Sequence, residues 1–207
     1  VPKTESFLLR KTRHDDIEEI VQVSNLVFGP EIAFIPEELE SQLSIFPEGQ
    51  VCLKDKVKDR IVGFCSSLIV NFEEYGINHS LDEITDNNFI RNHDPKGKTL
   101  YGFDVTVHPD YRGMGLGRKL YEARQEICRT HQLDNIMFGG RIPNFHKYAD
   151  KLSVNEYIDQ VIKEKIYDPV LTFQLRNGFN VVAVMENYLP DDHESLKYAT
   201  LMEWINH

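Results

Sequence analysis

The alternation of apolar and polar positions divides this chain into elements with few ambiguous stretches. Residues 6–13 (SFLLRKTR) read as a first strand. Asp15, Asp16, Glu18 and Glu19 then crowd a helix start, where carboxylates complement the dipole. Ile17, Ile20, Val21 and Val27 form that helix's apolar stripe, which runs to about Phe28. Pro36 opens a second, short helix with Leu39, Leu43 and Phe46 on one side, and Pro47-Glu48-Gly49 closes it. Strands follow at about 50–55 and 60–70; the second is almost uninterrupted in apolar character and reads as central in a sheet. From Asn71 to Lys98 the periodicity fails. That segment is polar and acidic, and its length is typical of functional or mobile loops.

A fourth strand is predicted at about 100–108, then a helix with Leu116, Leu120, Ala123 and Ile127 at helical spacing, then a fifth strand at 134–140. Residues 141–168 are atypical and end in a helix-like NEYIDQVIKEKIYD. VLTFQLRNGF reads as a short helix stopped by Gly178, and 179–187 with 197–205 close as an antiparallel pair. The order β-α-α-β-β-β-α-β-α-β-β implies an α/β (α+β) chain with a mixed sheet of about seven strands and flanking helices. A chain of 207 residues suits one domain spanning 1–207.

Charge narrows the partners. A net charge of −10 argues against nucleic acid, and no apolar run approaches the ~20 residues of a membrane helix. Cys52, Cys65 and Cys128 are odd in number and lack metal-ligand spacing, so reduced, buried thiols in a cytoplasmic protein without a metal site are expected. The chain opens on Val1 with neither Met nor an apolar leader, and a processed or trimmed N-terminus is expected.

The most informative chemistry lies in Val105–Lys119, VTVHPDYRGMGLGRK. A β-branched run stops at a proline turn, and Arg112, Gly113, Gly115 and Gly117 follow before a helix. Unpartnered N–H groups and the dipole at a helix start attract a pyrophosphate. Glycines let phosphates approach the backbone, and Arg112 and Arg118 add full charge. The NTPase phosphate loop is excluded, because Leu120 follows Arg118-Lys119 where a hydroxyl for magnesium is required. The dinucleotide fingerprint fails too, because the three glycines alternate strictly.

R-x-x-G-x-G, with Arg112, Gly115 and Gly117 in its slots and preceded by V-x-P-x-Y, resembles motif A of the GNAT superfamily of acyl-CoA-dependent N-acetyltransferases. GGRIPNFHKYAD, YDPVLTFQLRNGF, NYLPDD and YATLMEW further resemble the acetyltransferase-like domain fused to nitrilase-type carbon–nitrogen hydrolases. The hydrolase's own Glu-Lys-Cys machinery is absent, so the chain is expected to be a stand-alone relative or a domain of a longer protein. The resemblance implies the GNAT fold with a splay between strands four and five, and acetyl-CoA as acyl-donor cosubstrate. It also implies transfer of an acetyl group to an amine, taken here as that of a small molecule. The alternative is a catalytically weak acyl-CoA-binding module regulating a fused or associated hydrolase. The final strands could pair between two copies as a homodimer; their composition leaves that open.

By the same resemblance, the N–H groups of Arg112, Gly113, Met114, Gly115, Leu116 and Gly117 hold the pyrophosphate, with Arg118 beside them. The pantetheine arm lies along the backbone of Val105, Thr106 and Val107, and Asn144 after strand five is a further CoA contact. The family's base positions fall on Tyr101 and Phe103, neither a carboxylate nor an imidazole. Alternation puts both on the face of Val105 and Val107, with Asp104 opposite unless a bulge re-aims it. Asp104 is nonetheless the nominated base, acting through a water, beside the plainer reading of an Asp anchored to nearby backbone. The family's acid tyrosine falls on Gln174, which cannot titrate, so Tyr148 is nominated instead, with Tyr167 as a second tyrosine in reach; a buried ring is the bland alternative. His108 is expected to bond the turn or to face solvent, His146 to be a surface residue or else a second base, and Arg141 to pair with a substrate carboxylate or, as base rates favour, with an acidic residue of the chain.

Overall fold

The computed structural model describes residues 6–207; Val1, where a trimmed N-terminus is expected, lies outside the described residues. The elements are β1 Phe7–Lys11, α1 Ile17–Phe28, α2 Pro36–Ile45, β2 Val51–Asp55, β3 Arg60–Val70, α3 Leu81–Thr85, β4 Thr99–Val107, α4 Leu116–Thr130, β5 Asn135–Gly140, α5 Val154–Ile162, α6 Leu171–Arg176, β6 Asn180–Glu186 and β7 Tyr198–Ile205. Seven strands form one sheet in the order β1-β2-β3-β4-β5-β7-β6. All neighbours are antiparallel except β4 and β5.

The apolar stripes decide which helix covers which face. Ile17, Ile20 and Val23 of α1, with Leu39 and Leu43 of α2, pack on Cys52, Ile61 and Phe64. On the other face Leu116, Leu120 and Ala123 of α4 cover Val51, Leu53 and Cys65. Leu120 is fully buried, and truncating such a side chain to Ala costs roughly 2–5 kcal/mol. Strand β3 is buried along almost its whole length, as its continuous apolar run requires. All three cysteines are free and buried, and burial pushes each thiol up to about 11. Among the described residues no helix is long and apolar enough to cross a membrane.

Residues 71–98 correct the expectation of an open loop. Ser80 caps α3 reciprocally with Glu83, a run of left-handed residues follows (Asp86, Asn87, Asn88 and Ile90), and Ile84, Thr85 and Ile90 are fully buried. Side chains from α2 hold the run, because Gln42 Nε2 donates to the Asn88 carbonyl and Ser41 Oγ to that of Phe89. Its anchors fall at irregular intervals, so no period marks them. The helix-like stretch at 155–168 is also shorter than expected: α5 ends at Ile162, and Glu164 turns left-handed.

Candidate active site

The site starts where β4 ends. Pro109–Tyr111 form a tight turn, and the Asp110 N–H donates to His108 Nδ1 at 3.1 Å, so of the two expected placements His108 takes the one that bonds the turn. Buried Tyr111 locks the turn to the β2–β3 end by donating to Asp55 Oδ2 at 2.7 Å and accepting from Arg60 Nε at 3.2 Å. That phenol, with the N–H groups of Lys58 and Val57, holds the Asp55 carboxyl below its usual range. Gly113 and Gly115 sit at φ +77° and +76° with open space where a Cβ would lie, so the need for glycine there is conformational. Gly115 caps α4, and the Lys119 N–H closes the first helical bond onto the Gly115 carbonyl. The N–H groups before it in that turn have no intrahelical partner.

Helix α4 begins at Leu116, so Gly117 lies inside its first turn instead of ahead of it. A Cβ on Gly117 would stand 3.0 Å from Phe173 Cζ of α6, which makes it a packing position as well. Arg112, Met114 and Arg118 are exposed around this turn, and Arg118 Nε donates to Glu122 at 3.1 Å.

Strands β4 and β5 then part. They pair only through Thr99, Leu100 and Tyr101, against Asn135, Ile136 and Met137. Beyond Tyr101, β4 keeps its β3 partner but has no β5 ladder, which leaves Val105, Thr106 and Val107 along a cleft that opens towards the glycine turn. This is the expected splay. The side chains of Val105 and Val107 pack beneath α4, and Thr106 is buried on the opposite face.

A bulge corrects the expected facing of β4. Ser66 pairs with Asp104 but Ser67 pairs with Gly102, so Phe103 is one residue too many. Gly102 faces α4, where Arg124 fills the space a Cβ would take. Phe103 lies against Phe34 on the α1–α2 side, and Val105 again faces α4. Tyr101, Phe103, Asp104 and Thr106 therefore share the face turned away from α4, whereas strict alternation groups Tyr101 and Phe103 with Val105 and Val107. Arg124 helps define the distorted stretch: 2% exposed, it donates from Nη2 to the carbonyls of Ser66 (3.0 Å) and Asp104 (2.8 Å), while its Nε has no partner. The Asp104 carboxyl is pushed up to about 7 by desolvation, against the pull of the Thr106 hydroxyl, which donates to it at 2.7 Å, and of nearby Arg124.

The nominated residues beyond β5 lie in a separately tied segment. The Asn144 N–H donates to Asp168 Oδ2 (3.1 Å) and its Nδ2 to the Tyr167 carbonyl (3.3 Å). Tyr148 is half-buried, its ring 5.5 Å from that of Tyr157, whose hydroxyl donates to Asp168 at 2.6 Å. Tyr167 is exposed. Arg141 pairs with Asp192 and Glu194, as base rates for acidic partners suggest. His146 Nδ1 bonds the carbonyls of Pro143 and Glu194. Gln174 is buried in the slot of the family's acid tyrosine; its Nε2 donates to the Tyr121 hydroxyl at 3.4 Å, and its Oε1 has no partner. A phenol from α4 thus reaches that slot.

One polar group escaped the sequence reading. His79, from the irregular segment, places Nε2 2.7 Å from the Tyr101 hydroxyl and Nδ1 2.8 Å from the Gly76 carbonyl. The Tyr101 hydroxyl is in turn 3.0 Å from that of Tyr188, which comes from the β6–β7 connection. All three side chains are nearly inaccessible. No local pattern around His79 signals this.

The family profile described as acetyltransferase (GNAT) matches residues 16–149. The chain is 47% identical over 200 residues to the probable hydrolase YhcX of Bacillus subtilis strain 168, covering 97% of this chain but only 39% of that relative's length. It is 38% identical over 208 residues to the uncharacterized N-acetyltransferase YkwB of the same organism, covering 99% of this chain and 91% of YkwB. The loading GNATL domain of CurA from Lyngbya majuscula has the same fold, with a TM-score of 0.83 at 21% identity, covering 96% of this chain and 97% of that one. With the cleft between β4 and β5 and the glycine turn at its end, these matches establish that the chain belongs to the acetyltransferase (GNAT) family.

Proposed function

We propose that this chain moves an acetyl group from acetyl-CoA to the amine of a small molecule, by direct attack within a ternary complex. The observation that carries the reading is the parting of β4 from β5 after Tyr101, with a glycine-capped helix start at its open end. In this reading the α4 N-terminus, from Arg112 through Gly113, Met114, Gly115, Leu116 and Gly117 to Arg118, takes the pyrophosphate. The backbone of Val105, Thr106 and Val107 takes the pantetheine as an added strand, and Asn144 is a further contact. Family membership supports a CoA thioester as donor; the acetyl group is our assignment, as are a cytoplasmic location and a single domain over 1–207.

The reaction needs a group that accepts the amine's proton. Asp104 is one such group on the face of β4 turned away from α4, and a carboxyl held near neutrality can act through one water. Tyr148 has weaker support as the acid, because its ring is packed against Tyr157. The acidic balance of the chain, with a net charge of −10, supports a cationic acceptor.

The second reading is an acyl-CoA-binding module that regulates a hydrolase. It is favoured by Gln174 and by the 39% of YhcX that this chain spans. Thiol release from acetyl-CoA, followed across a panel of mono- and polyamines, separates the two. Turnover with any amine supports transfer. Micromolar CoA binding without turnover on any of them would count against transfer and leave the binding-module reading.

A further inference from the structure

The buried chain His79–Tyr101–Tyr188 has a direction that its partners dictate. A backbone carbonyl only accepts, so the bond to Gly76 requires the hydrogen on His79 Nδ1. Burial lowers the imidazole's affinity for a second proton, which leaves Nε2 bare in the neutral ring. The Tyr101 hydroxyl must then donate to Nε2, and the Tyr101 oxygen is free to accept from Tyr188. Both hydroxyl hydrogens thus point towards His79.

The chain also sits at the right level of the fold. Tyr101 is the last β4 residue paired with β5. Gly139, on β5 just past that pairing, lies against Tyr188, and a Cβ on Gly139 would strike the Tyr188 ring. The two hydroxyls therefore stand where the strands separate, at the inner end of the cleft assigned above to the thioester arm.

We propose that His79, Tyr101 and Tyr188 form a reversible proton store for acyl transfer, filled as the acceptor attacks and emptied as the thiolate leaves. As the amine nitrogen bonds to the thioester carbon, its proton passes to the Tyr188 oxygen. Tyr188 passes its own proton to Tyr101, and Tyr101 passes its own to His79 Nε2. When the C–S bond breaks and sulfur takes the electron pair, the same three transfers run backwards and the proton ends on sulfur. The products are an amide and a thiol, with no net proton released. One chain then covers both roles that Phe103 and Gln174 leave vacant. Asp104 competes for the first role only, with one carboxylate oxygen already engaged by Thr106.

This inference rests on the acyl-transfer reading, and the experiment separates the two. Titratable groups around His79 are Tyr75 and Glu83 from its own segment, Tyr101 from β4 and Tyr188 from the β6–β7 connection. Imidazole ¹⁵N spectra of the intact chain from pH 5 to 8 are expected to show His79 as the neutral Nδ1–H tautomer at pH 7, titrating below the usual value near 6.5. An Nε2–H tautomer or an imidazolium at pH 7 would overturn the chain's direction.

Turnover with acetyl-CoA and the best amine is expected to fall on the acid side with the same midpoint. Tyr101→Phe, which removes one oxygen and keeps the ring, is expected to lower kcat about 100-fold with the acyl-CoA KM within twofold. His79→Gln is expected to lose the acid limb as well. Wild-type kcat and pH profile in both variants would overturn the proposal while leaving acyl transfer standing. So would loss of the acid limb in Asp104→Asn with Tyr101→Phe silent, which assigns the proton to Asp104. A wild-type protein without turnover on any amine overturns the acyl-transfer reading, and the store with it.

Discussion

Gly102 on β4 and Arg124 on α4 share one volume: a Cβ on Gly102 would fall within the Arg124 guanidinium. The glycine is what lets a buried cation lie against the backbone of the bulge and bridge the carbonyls of Ser66 and Asp104. Gly102→Ala is expected to push the guanidinium away and leave those carbonyls short of a partner. The cost is about 2–4 kcal/mol, from overpacking plus lost charge-assisted bonds. Urea denaturation checks it, and an unchanged midpoint would show that the guanidinium has room to move.

Asp104 links the same bulge to pH. Its carboxyl holds a proton up to about 7 in the folded chain, against 3.8 as the ordinary value. Between those values the folded state binds more protons than the unfolded one, so this group's contribution to stability falls as pH rises from about 4 to 7. Asp104→Asn is expected to lose that slope and to be the more stable form at pH 8, by about 4 kcal/mol as the upper bound. At pH 4 the two proteins should nearly coincide. Thermal denaturation across the range measures the gap; a constant difference between the proteins would contradict it.

The glycine turn predicts how CoA affinity divides. Arg112→Ala combined with Arg118→Ala is expected to weaken CoA binding about 10- to 100-fold, as one to two charge-assisted contacts are worth about 1.4–3 kcal/mol. The loss should shrink as salt is raised. Gly115→Ala forces a Cβ residue into φ +76° and costs about 1 kcal/mol in folding as well as affinity. Calorimetric titration with CoA and with pantetheine checks the assignment, because pantetheine lacks the pyrophosphate and should bind both arginine forms equally.

Asp192, almost wholly buried, accepts two bonds from Arg141 at 2.8 and 2.6 Å and one from the Ser195 N–H at 3.3 Å. Desolvation would raise its carboxyl, but Arg141 and Ser195 outweigh this and hold it below the ordinary value. The pair's contribution is therefore present above about pH 4 and lost as pH falls through the folded value. Arg141→Met is expected to cost about 2 kcal/mol at pH 7, less than a fully buried pair because Arg141 is 41% exposed. The deficit should fade below pH 4, and chemical denaturation at pH 7 and 3.5 tests both halves.

What was legible in the residues was what neighbours along the chain decide together. The apolar stripe of Leu116, Leu120 and Ala123 reported α4, the unbroken run at 60–70 reported the central strand, and Pro109 with Gly113 and Gly115 reported the turn. Each depends on local period or on a backbone angle that one residue type tolerates. Alternation alone could not fix the facing of β4 past Phe103, because the bulge that re-aims Asp104 is accommodated by Ser66 and Ser67 on another strand and by Arg124 on a helix. Residues 71–98 looked patternless because their buried anchors answer to α2 and β3 instead of to one another.

The same division holds for the site. By itself the sequence determined the glycine turn and the helix start proposed to hold the pyrophosphate, because Arg112 to Arg118 are contiguous and a helix start carries its unpartnered N–H groups wherever it is built. Tertiary structure alone decided which polar groups meet where β4 and β5 part. His79 and Tyr101 are 22 residues apart, and Tyr101 and Tyr188 are 87 apart. Hydrogen bonds act over about 3 Å, so only the sheet, by bringing three distant segments to one point, makes them a chain.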